Sequence, residues 1–326
     1  MRDQRGRPRV VVVTGASSGI GHAAALAFAA AGDRLVLAAR ARPGLDKVAA
    51  ECRAAGAEVR VVTADVTRPG SLDAVADAAV GEFGGIDVWV HTAAVMAYGR
   101  LEDVPAEIFD RVVETDLLGS AAVARAALPR FRAQGHGILV FGGSLLGTIA
   151  APYMSAYIAS KWGLRALVRV LRLETRDAPG IHVCLVAPGA VNTPVYRNAA
   201  NFAGRIGRPP PPVDPPEKVA RAILRCAEHP RATVNVGTAG TVVRLGFTLF
   251  PRLYDTLVGP LMRRGGLSRE PVAPHPGNVL APLPPSGHSL HGPWKPRRAL
   301  RTASALGAAA LAAVAIRGLA RGRAGR

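Results

Sequence analysis

The sequence predicts an α/β fold: a doubly wound parallel sheet with a C-terminal extension. Three observations carry that expectation. Short apolar runs alternate with longer stretches of helical spacing through the first 237 residues. The runs are continuous Val, Ile and Leu, as strands buried on both faces require. A glycine-rich turn joins the first run to a helix, an arrangement suited to binding phosphate.

Strands are expected at residues 10–13, 34–38, 58–62, 87–91, 137–141, 182–186 and 233–236. Helices are expected at 20–31, 72–83, 107–131 and 155–176, where apolar residues recur every three or four positions. Helical crossovers set successive strands parallel and cover both faces of the sheet. Residues 8–240 read as this one domain.

Beyond it the pattern changes. Residues 241–264 form an apolar helical segment, with Val243, Phe247, Phe250, Tyr254, Leu257 and Leu261 at helical spacing. Gly246, Pro251 and Pro260 divide it into two short helices. Residues 265–300 are rich in Pro and Gly and read as a linker, irregular chain lying on the surface. Residues 301–326 read as a basic, Ala-rich C-terminal helix. Its uncharged stretch, 302–316, would be about 22 Å long, short of a ~30 Å hydrocarbon core. Three readings stay open for it: a helix packed on the domain or a partner, an interfacial anchor, and a marginal span. Its flanking arginines suit an anionic, cytoplasmic leaflet.

Hydrophobic residues make up 49% of the 326 and charged residues 20%, which excludes a disordered or collagen-like chain. The formal charge of +18 comes mostly from arginine, and no nucleic-acid recognition motif accompanies it, so no nucleic-acid partner is expected. Cys52, Cys184 and Cys226 lie far apart without a C-x-x-C pair. That excludes a disulfide scaffold and a cysteine metal cluster, and a reducing compartment follows. The basic N-terminus precedes an apolar run of only four residues, so no secretory signal is expected. The location read from this is cytoplasmic, the tail offering a route to peripheral attachment on the cytoplasmic face of a membrane.

The turn Thr14-Gly15-Ala16-Ser17-Ser18-Gly19-Ile20-Gly21 is where a nucleotide site would form. Its glycines let backbone approach a pyrophosphate, and the helix after it offers free N–H groups and a partial positive charge. At the end of the second strand an acidic residue would bind a ribose 2′-hydroxyl. Here Arg40 stands instead, able to pair with a 2′-phosphate, so NADP(H) is expected over NAD(H). Tyr157 and Lys161, four apart in a helix, share one face. An ammonium beside a phenol lowers its pKa, which suits a proton donor and acceptor at an alcohol or carbonyl. Ser144 follows the fifth strand at its C-terminal end and can hydrogen-bond a substrate oxygen.

T-G-x-x-x-G-x-G near the N-terminus, Ser144 upstream of Tyr157-x-x-x-Lys161, and Pro188-Gly189-Ala190-Val191-Asn192-Thr193 together resemble the short-chain dehydrogenase/reductase family, over residues 8–237. Asp65-Val66 also fits that family's adenine-binding position. The resemblance implies a Rossmann-type fold and hydride transfer between a nicotinamide and an alcohol or carbonyl carbon. Tyr157 would be the general acid/base, with Lys161 lowering its pKa and holding the nicotinamide ribose. Ser144 would orient the substrate oxygen, Thr193 would contact the carboxamide, and Val191 would have its backbone beside the ring. It also implies a homo-oligomer.

Two segments depart from the family. His91-Thr92-Ala93-Ala94 replaces N-N-A-G, putting a methyl near the cofactor and removing asparagine hydrogen bonds that tie strands together. Asp116 replaces the catalytic Asn of N-x-x-G, whose backbone carbonyl holds a relay water in the family. A carboxylate there could draw the Lys161 ammonium away from Tyr157. These departures keep a second reading open: a regulatory or membrane-surface module that binds the cofactor but does little chemistry.

Other chemistry fails on spacing. Gly142-Gly143-Ser144-Leu145-Leu146 lacks the last glycine of a hydrolase nucleophile elbow. His288 and His291 have no carboxylate or cysteine near in sequence and read as a solvated loop; His22 reads as a neighbour of the phosphates or plain surface. The segment 194–213 reads as a substrate lid, whose Tyr196, Phe202 and Ile206 favour a hydrophobic alcohol or ketone.

Overall fold

The computed structural model describes residues 7–237, 239–284 and 287–294. The expected C-terminal helix, 301–326, lies outside them. From the N-terminus the chain runs through β1 (Val10–Thr14), α1 (Gly19–Ala30), β2 (Arg34–Ala39), α2 (Arg42–Ala54), β3 (Val59–Thr63), α3 (Ser71–Phe83) and β4 (Val88–His91). A two-residue strand, β5 (Ala97–Tyr98), precedes α4 (Ala106–Val113). That helix passes through a wide π-type turn, Glu114–Leu118, into α5 (Gly119–Gln134). Next come β6 (Gly137–Gly142), α6 (Ser155–Glu174), β7 (Ile181–Pro188), the single turn α7 (Val195–Asn198), β8 (Ala200–Asn201) and β9 (Arg205–Gly207). The chain continues with α8 (Pro216–Glu228), β10 (Thr233–Val236), α9 (Ala239–Leu249), α10 (Pro251–Leu261) and β11 (Leu267–Pro271).

The central sheet has seven parallel strands in the order β10-β7-β6-β4-β1-β2-β3. The strand order reverses between β1 and β4, and α/β sheets open a crevice at the carboxyl ends of such a pair. β1 shows why the sheet is covered twice. Val11 and Val13 join a core with Phe28, Leu45 and Ile223 beneath α1, α2 and α8. Val10 and Val12 join the opposite core with Trp89, Phe131 and Leu164 beneath α3, α5 and α6. Each fully buried side chain of this size contributes about 1.5–3 kcal/mol by leaving water. At the amino-terminal edge Arg9 grips Asp33 with two bonds, Nη2 to Oδ2 at 2.7 Å and Nε to Oδ1 at 3.0 Å.

The expected strands all form, each within two residues of its expected ends. The helix expected at 107–131 is instead two helices joined by the π-type turn. The two helices expected within 241–264 form as α9 and α10. In the segment expected to be irregular, Leu267–Pro271 is a strand paired antiparallel with β9, so the extension is tied to the segment 194–213. All three cysteines are free and buried; Cys184 and Cys226, far apart in sequence, join the same core, and the Cys226 thiol donates to the Arg231 carbonyl at 3.7 Å. No helix among the described residues is long and apolar enough to cross a membrane.

Candidate active site

The glycine turn closes on itself by contacts only glycine allows. Gly15 sits at φ +84°, and a Cβ there would lie 2.5 Å from the Ala93 nitrogen. A Cβ on Gly21 would lie 2.1 Å from the Gly15 carbonyl oxygen. Backbone is thus pressed against backbone where β1 feeds α1, and the N-terminus of α1 opens toward the crevice. This cradle, with a long cleft running from it, fits a dinucleotide.

One cleft gathers most of the sequence-predicted residues. Gly15, Ser17, Ser18, Gly19, Ile20 and Gly21 form its floor. Arg40 lines it after β2, and Asp65 and Val66 after β3. Ala93 follows β4, Pro188 ends β7, and Thr193 comes from the segment after it. Tyr157 and Lys161 reach it from α6. Ser144, Asp116, Gly189 and Val191 do not line it. The Asp65 carboxylate accepts from the Thr67 N–H and hydroxyl at 3.0 and 2.8 Å, so it is tied into its own loop.

Ser144 and Tyr157 are neighbours, near enough for the Ser144 hydroxyl to pull the phenol downward. Ser144 is fixed by accepting the Leu146 N–H at 3.1 Å, which caps the short turn Leu145–Gly147. That turn lies directly on α6, since a Cβ on Gly147 would come within 2.7 Å of the Lys161 carbonyl oxygen. The Lys161 ammonium lies 5.4 Å from the centre of the Tyr157 ring and donates to the Gly142 carbonyl at 3.3 Å.

Its other partner is Asp116, with Nζ to Oδ2 at 3.4 Å. Asp116 is fully buried, and its Oδ1 accepts the Val95 N–H at 2.8 Å. Burial pushes its carboxyl above the usual range, while Lys161 and the Val95 N–H pull it back. Its backbone carbonyl, in the π-type turn, accepts the Ser120 hydroxyl at 2.7 Å. Helices take such turns often at functional sites. This one lets Gly119 approach Val66, where a Cβ would lie 2.6 Å from the valine side chain.

The Tyr157 phenol departs from the expectation that Lys161 lowers it. Burial first, then the Asp116 carboxylate, push it well above its ordinary value, and only the Ser144 hydroxyl pulls it down. The main physical reason is burial, which penalises the charged phenolate, and the nearby Asp116 carboxylate adds to it.

The replaced segment after β4 keeps its strand ties by other means. His91 Nδ1 and the Thr14 hydroxyl share a hydrogen bond of 2.8 Å. The Thr92 N–H and hydroxyl both donate to the Thr14 carbonyl, at 2.9 and 3.0 Å. Burial, then nearby Lys161, lower His91 to about 3, so its ring is neutral.

His22 and His288 stand elsewhere than expected, while His291 is exposed in a loop and gains a carboxylate partner. His22 is buried and pairs with Glu51 at 2.7 Å, and it does not line the cleft. His291 meets Glu217 at 2.7 Å. His288 packs against Gly44 and Ser17 and lines the cleft rather than a solvated loop. Among the described residues no cluster of histidines, cysteines and carboxylates could hold a metal.

The Pro- and Gly-rich segment is the part sequence reasoning missed. Arg40 donates to the carbonyls of Asn278 and Val279, at 2.6 and 3.3 Å. The Ser289 carbonyl accepts the Gly19 N–H at 3.0 Å, on the glycine turn itself. Gly292 and Trp294 donate their N–H groups to the Asn192 carbonyl and side chain, at 3.2 and 3.1 Å. Most of these contacts use backbone atoms, which leave no signature in residue type.

The family model described as short chain dehydrogenase matches residues 9–203. The chain belongs to the short-chain dehydrogenase/reductase family. An uncharacterized oxidoreductase, YxnA, of Bacillus subtilis is 33% identical over 84% of this chain and 78% of its own. The 3beta-hydroxysteroid dehydrogenase 1 of Eggerthella lenta is 35% identical over 74% of this chain and 95% of its own. A solved alcohol dehydrogenase from Thermococcus sibiricus, complexed with 5-hydroxy-NADP, aligns with TM-score 0.61 and 31% identity. That alignment covers 71% of this chain and 95% of the other. As a family member this dehydrogenase/reductase uses a nicotinamide cofactor and is an oxidoreductase of small molecules, acting at CH–OH or C=O groups.

Proposed function

We propose that this dehydrogenase/reductase is NADP(H)-dependent and interconverts a hydrophobic alcohol and its ketone or aldehyde by a Ser144-Tyr157-Lys161 mechanism. The observation that carries the reading is that Tyr157 and Lys161 line the cleft together, the Lys161 ammonium 5.4 Å from the centre of the Tyr157 ring, with Ser144 as a neighbour of the phenol. The glycine turn would hold the pyrophosphate, Arg40 the 2′-phosphate, and Thr193 the carboxamide end. Bound there, the cofactor supplies or takes up hydride at the carbinol carbon. Tyr157 gives a proton to the substrate oxygen in reduction and takes one in oxidation. Ser144, held by the Leu146 N–H, orients that oxygen. The Lys161 ammonium offsets charge on the phenolate, and Asp116 positions the ammonium.

The apolar character of the substrate is supported by the side chains around Tyr157. Met96, Tyr98, Met154, Ile158 and Tyr196 cluster on one side, and Val95, Ala97 and Phe202 on another. The hydroxysteroid dehydrogenase named above agrees with a large apolar alcohol. Homo-oligomerisation is supported by Leu118, Trp162, Val170 and Leu173, exposed on and beside α6.

A second reading, a cofactor-binding module of low activity, is favoured by one observation, the claim of Asp116 on Lys161. Initial rates with a panel of apolar ketones and aldehydes, using NADPH and NADH, separate the two. Turnover of several of them with NADPH preferred, reversed in Arg40→Asp, supports the enzyme. Equal use of both cofactors by wild type removes the NADP(H) preference. No turnover across the panel favours the module.

A further inference from the structure

The helical hairpin after the sheet, α9 and α10, has an inner side packed on the domain. Phe247 stands edge-on to Trp162 of α6 and to Tyr254, with ring centres 6.2 and 5.1 Å apart. The Tyr254 hydroxyl donates to the Ala150 carbonyl at 2.7 Å. A Cβ on Gly240 would lie 3.4 Å from Leu145. The hairpin is therefore seated on α6 and on the chain just before it.

Its outer side is apolar. Val242, Leu245 and Leu249 recur at i, i+3 and i+7, so they share one face of α9, on the far side from Phe247. Together with Leu253 and Leu261 of α10 they are 37–61% exposed. Single exposed apolar residues are ordinary, but five on two consecutive helices mark an interaction surface.

Charge decides what the surface fits. Residues 239–266 hold Arg244, Arg252, Arg263 and Arg264 against one acid, Asp255. None of the four arginines pairs with a carboxylate among the described residues. A second copy docked here about a two-fold axis would bring the same arginines face to face, on a chain whose formal charge is already +18. An anionic bilayer meets both features: leucines enter the acyl boundary and guanidinium groups meet lipid phosphates. Each helix has 11 residues and is about 16 Å long, so the hairpin lies on a ~30 Å hydrocarbon core and does not cross it.

We propose that the outer face of the α9–α10 hairpin docks on an anionic lipid surface. This face is separate from the uncharged stretch 302–316 near the C-terminus. Met262, directly after α10, packs in the apolar cluster with Tyr98, Met154 and Tyr157, so the docked hairpin leads to the candidate active site. Docking needs no turnover, and its failure leaves the proposed reaction untouched.

The test is co-sedimentation of the full-length protein with phosphatidylglycerol vesicles and, separately, phosphatidylcholine vesicles. Wild type binds the first more tightly, and salt weakens that binding. Arg263→Gln with Arg264→Gln weakens it about thirtyfold. Leu245→Gln with Leu249→Gln weakens it at least about tenfold. All four positions are exposed, so both variants unfold at the wild-type temperature; if one does not, the other decides. Equal binding to the two kinds of vesicle, or none to either, overturns the proposal. If the leucine variant keeps vesicle binding but has a lower molar mass in light scattering, the face belongs to a second copy. If it keeps both, the attachment lies elsewhere in the chain. Either result overturns the proposal, as does unchanged binding in the arginine variant.

Discussion

The Lys161 ammonium lies 3.4 Å from the Asp116 carboxylate, and the two side chains are 3% and 0% exposed. A lysine that would otherwise serve the Tyr157 phenol alone is thus shared with a buried acid. Asn at 116 would remove the negative charge that raises the phenol while leaving an oxygen for the Val95 N–H. Asp116→Asn should therefore keep turnover within about tenfold, as a positioning rather than reacting group. In alcohol oxidation Tyr157 works as the phenolate, so the rate rises with pH through its pKa. With that pKa lowered, the rising limb moves to lower pH. A fall of several hundredfold, with the limb unmoved, would show the carboxylate itself is required.

His91 gives a pH dependence of stability. Its ordinary value of 6.5 is lowered to about 3 by burial and by Lys161. The unfolded chain therefore takes up a proton that the folded chain refuses as pH falls below 6.5. The neutral ring's contribution is complete above 6.5 and is lost progressively toward 3, by up to about 1.4 kcal/mol per pH unit. Urea unfolding of wild type and His91→Asn at several pH values checks this. The variant should lose less stability between pH 6.5 and the acid limit of folding.

Gly15 and Gly56 separate strain from contact. Both have positive φ, +84° and +91°, but only Gly15 faces backbone, at 2.5 Å, while Gly56 faces nothing within 4 Å. Gly56→Ala should cost about 1–2 kcal/mol from the left-handed conformation alone. Gly15→Ala should cost a further ~1–3 kcal/mol of overpacking and should abolish dinucleotide binding. Denaturant titration with a binding assay distinguishes the two.

The Arg9–Asp33 pair is buried, with side chains 8% and 0% exposed, and is held by two bonds. Asp33→Ala strands the guanidinium away from water and should cost about 3–5 kcal/mol in chemical unfolding. The double variant Arg9→Met, Asp33→Ala should recover part of that loss.

What the sequence made legible follows from periodicity and from short-range geometry. Val10 to Val13 announce a strand buried on both faces, and Tyr157 and Lys161 share a face because they are one helical turn apart. Gly15 and Gly21 announce a turn where backbone meets backbone. Long-range pairings left no such mark. His22 finds Glu51 and His291 finds Glu217 through the fold alone. Arg40 is held by carbonyls 238 and 239 residues away, and any residue type could supply a carbonyl. The break at Glu114–Leu118 was hidden because one wide turn barely disturbs helical spacing, although Gly119 is its packing trace.

The central claim is that Tyr157 moves the proton at the substrate oxygen, and Tyr157→Phe tests it most directly. The measurement is NADPH oxidation with the best ketone found, alongside NADPH binding to the same preparation. The account predicts a loss of turnover of about 10²–10⁴-fold with binding affinity retained. Turnover within tenfold of wild type, with cofactor still bound, would contradict it.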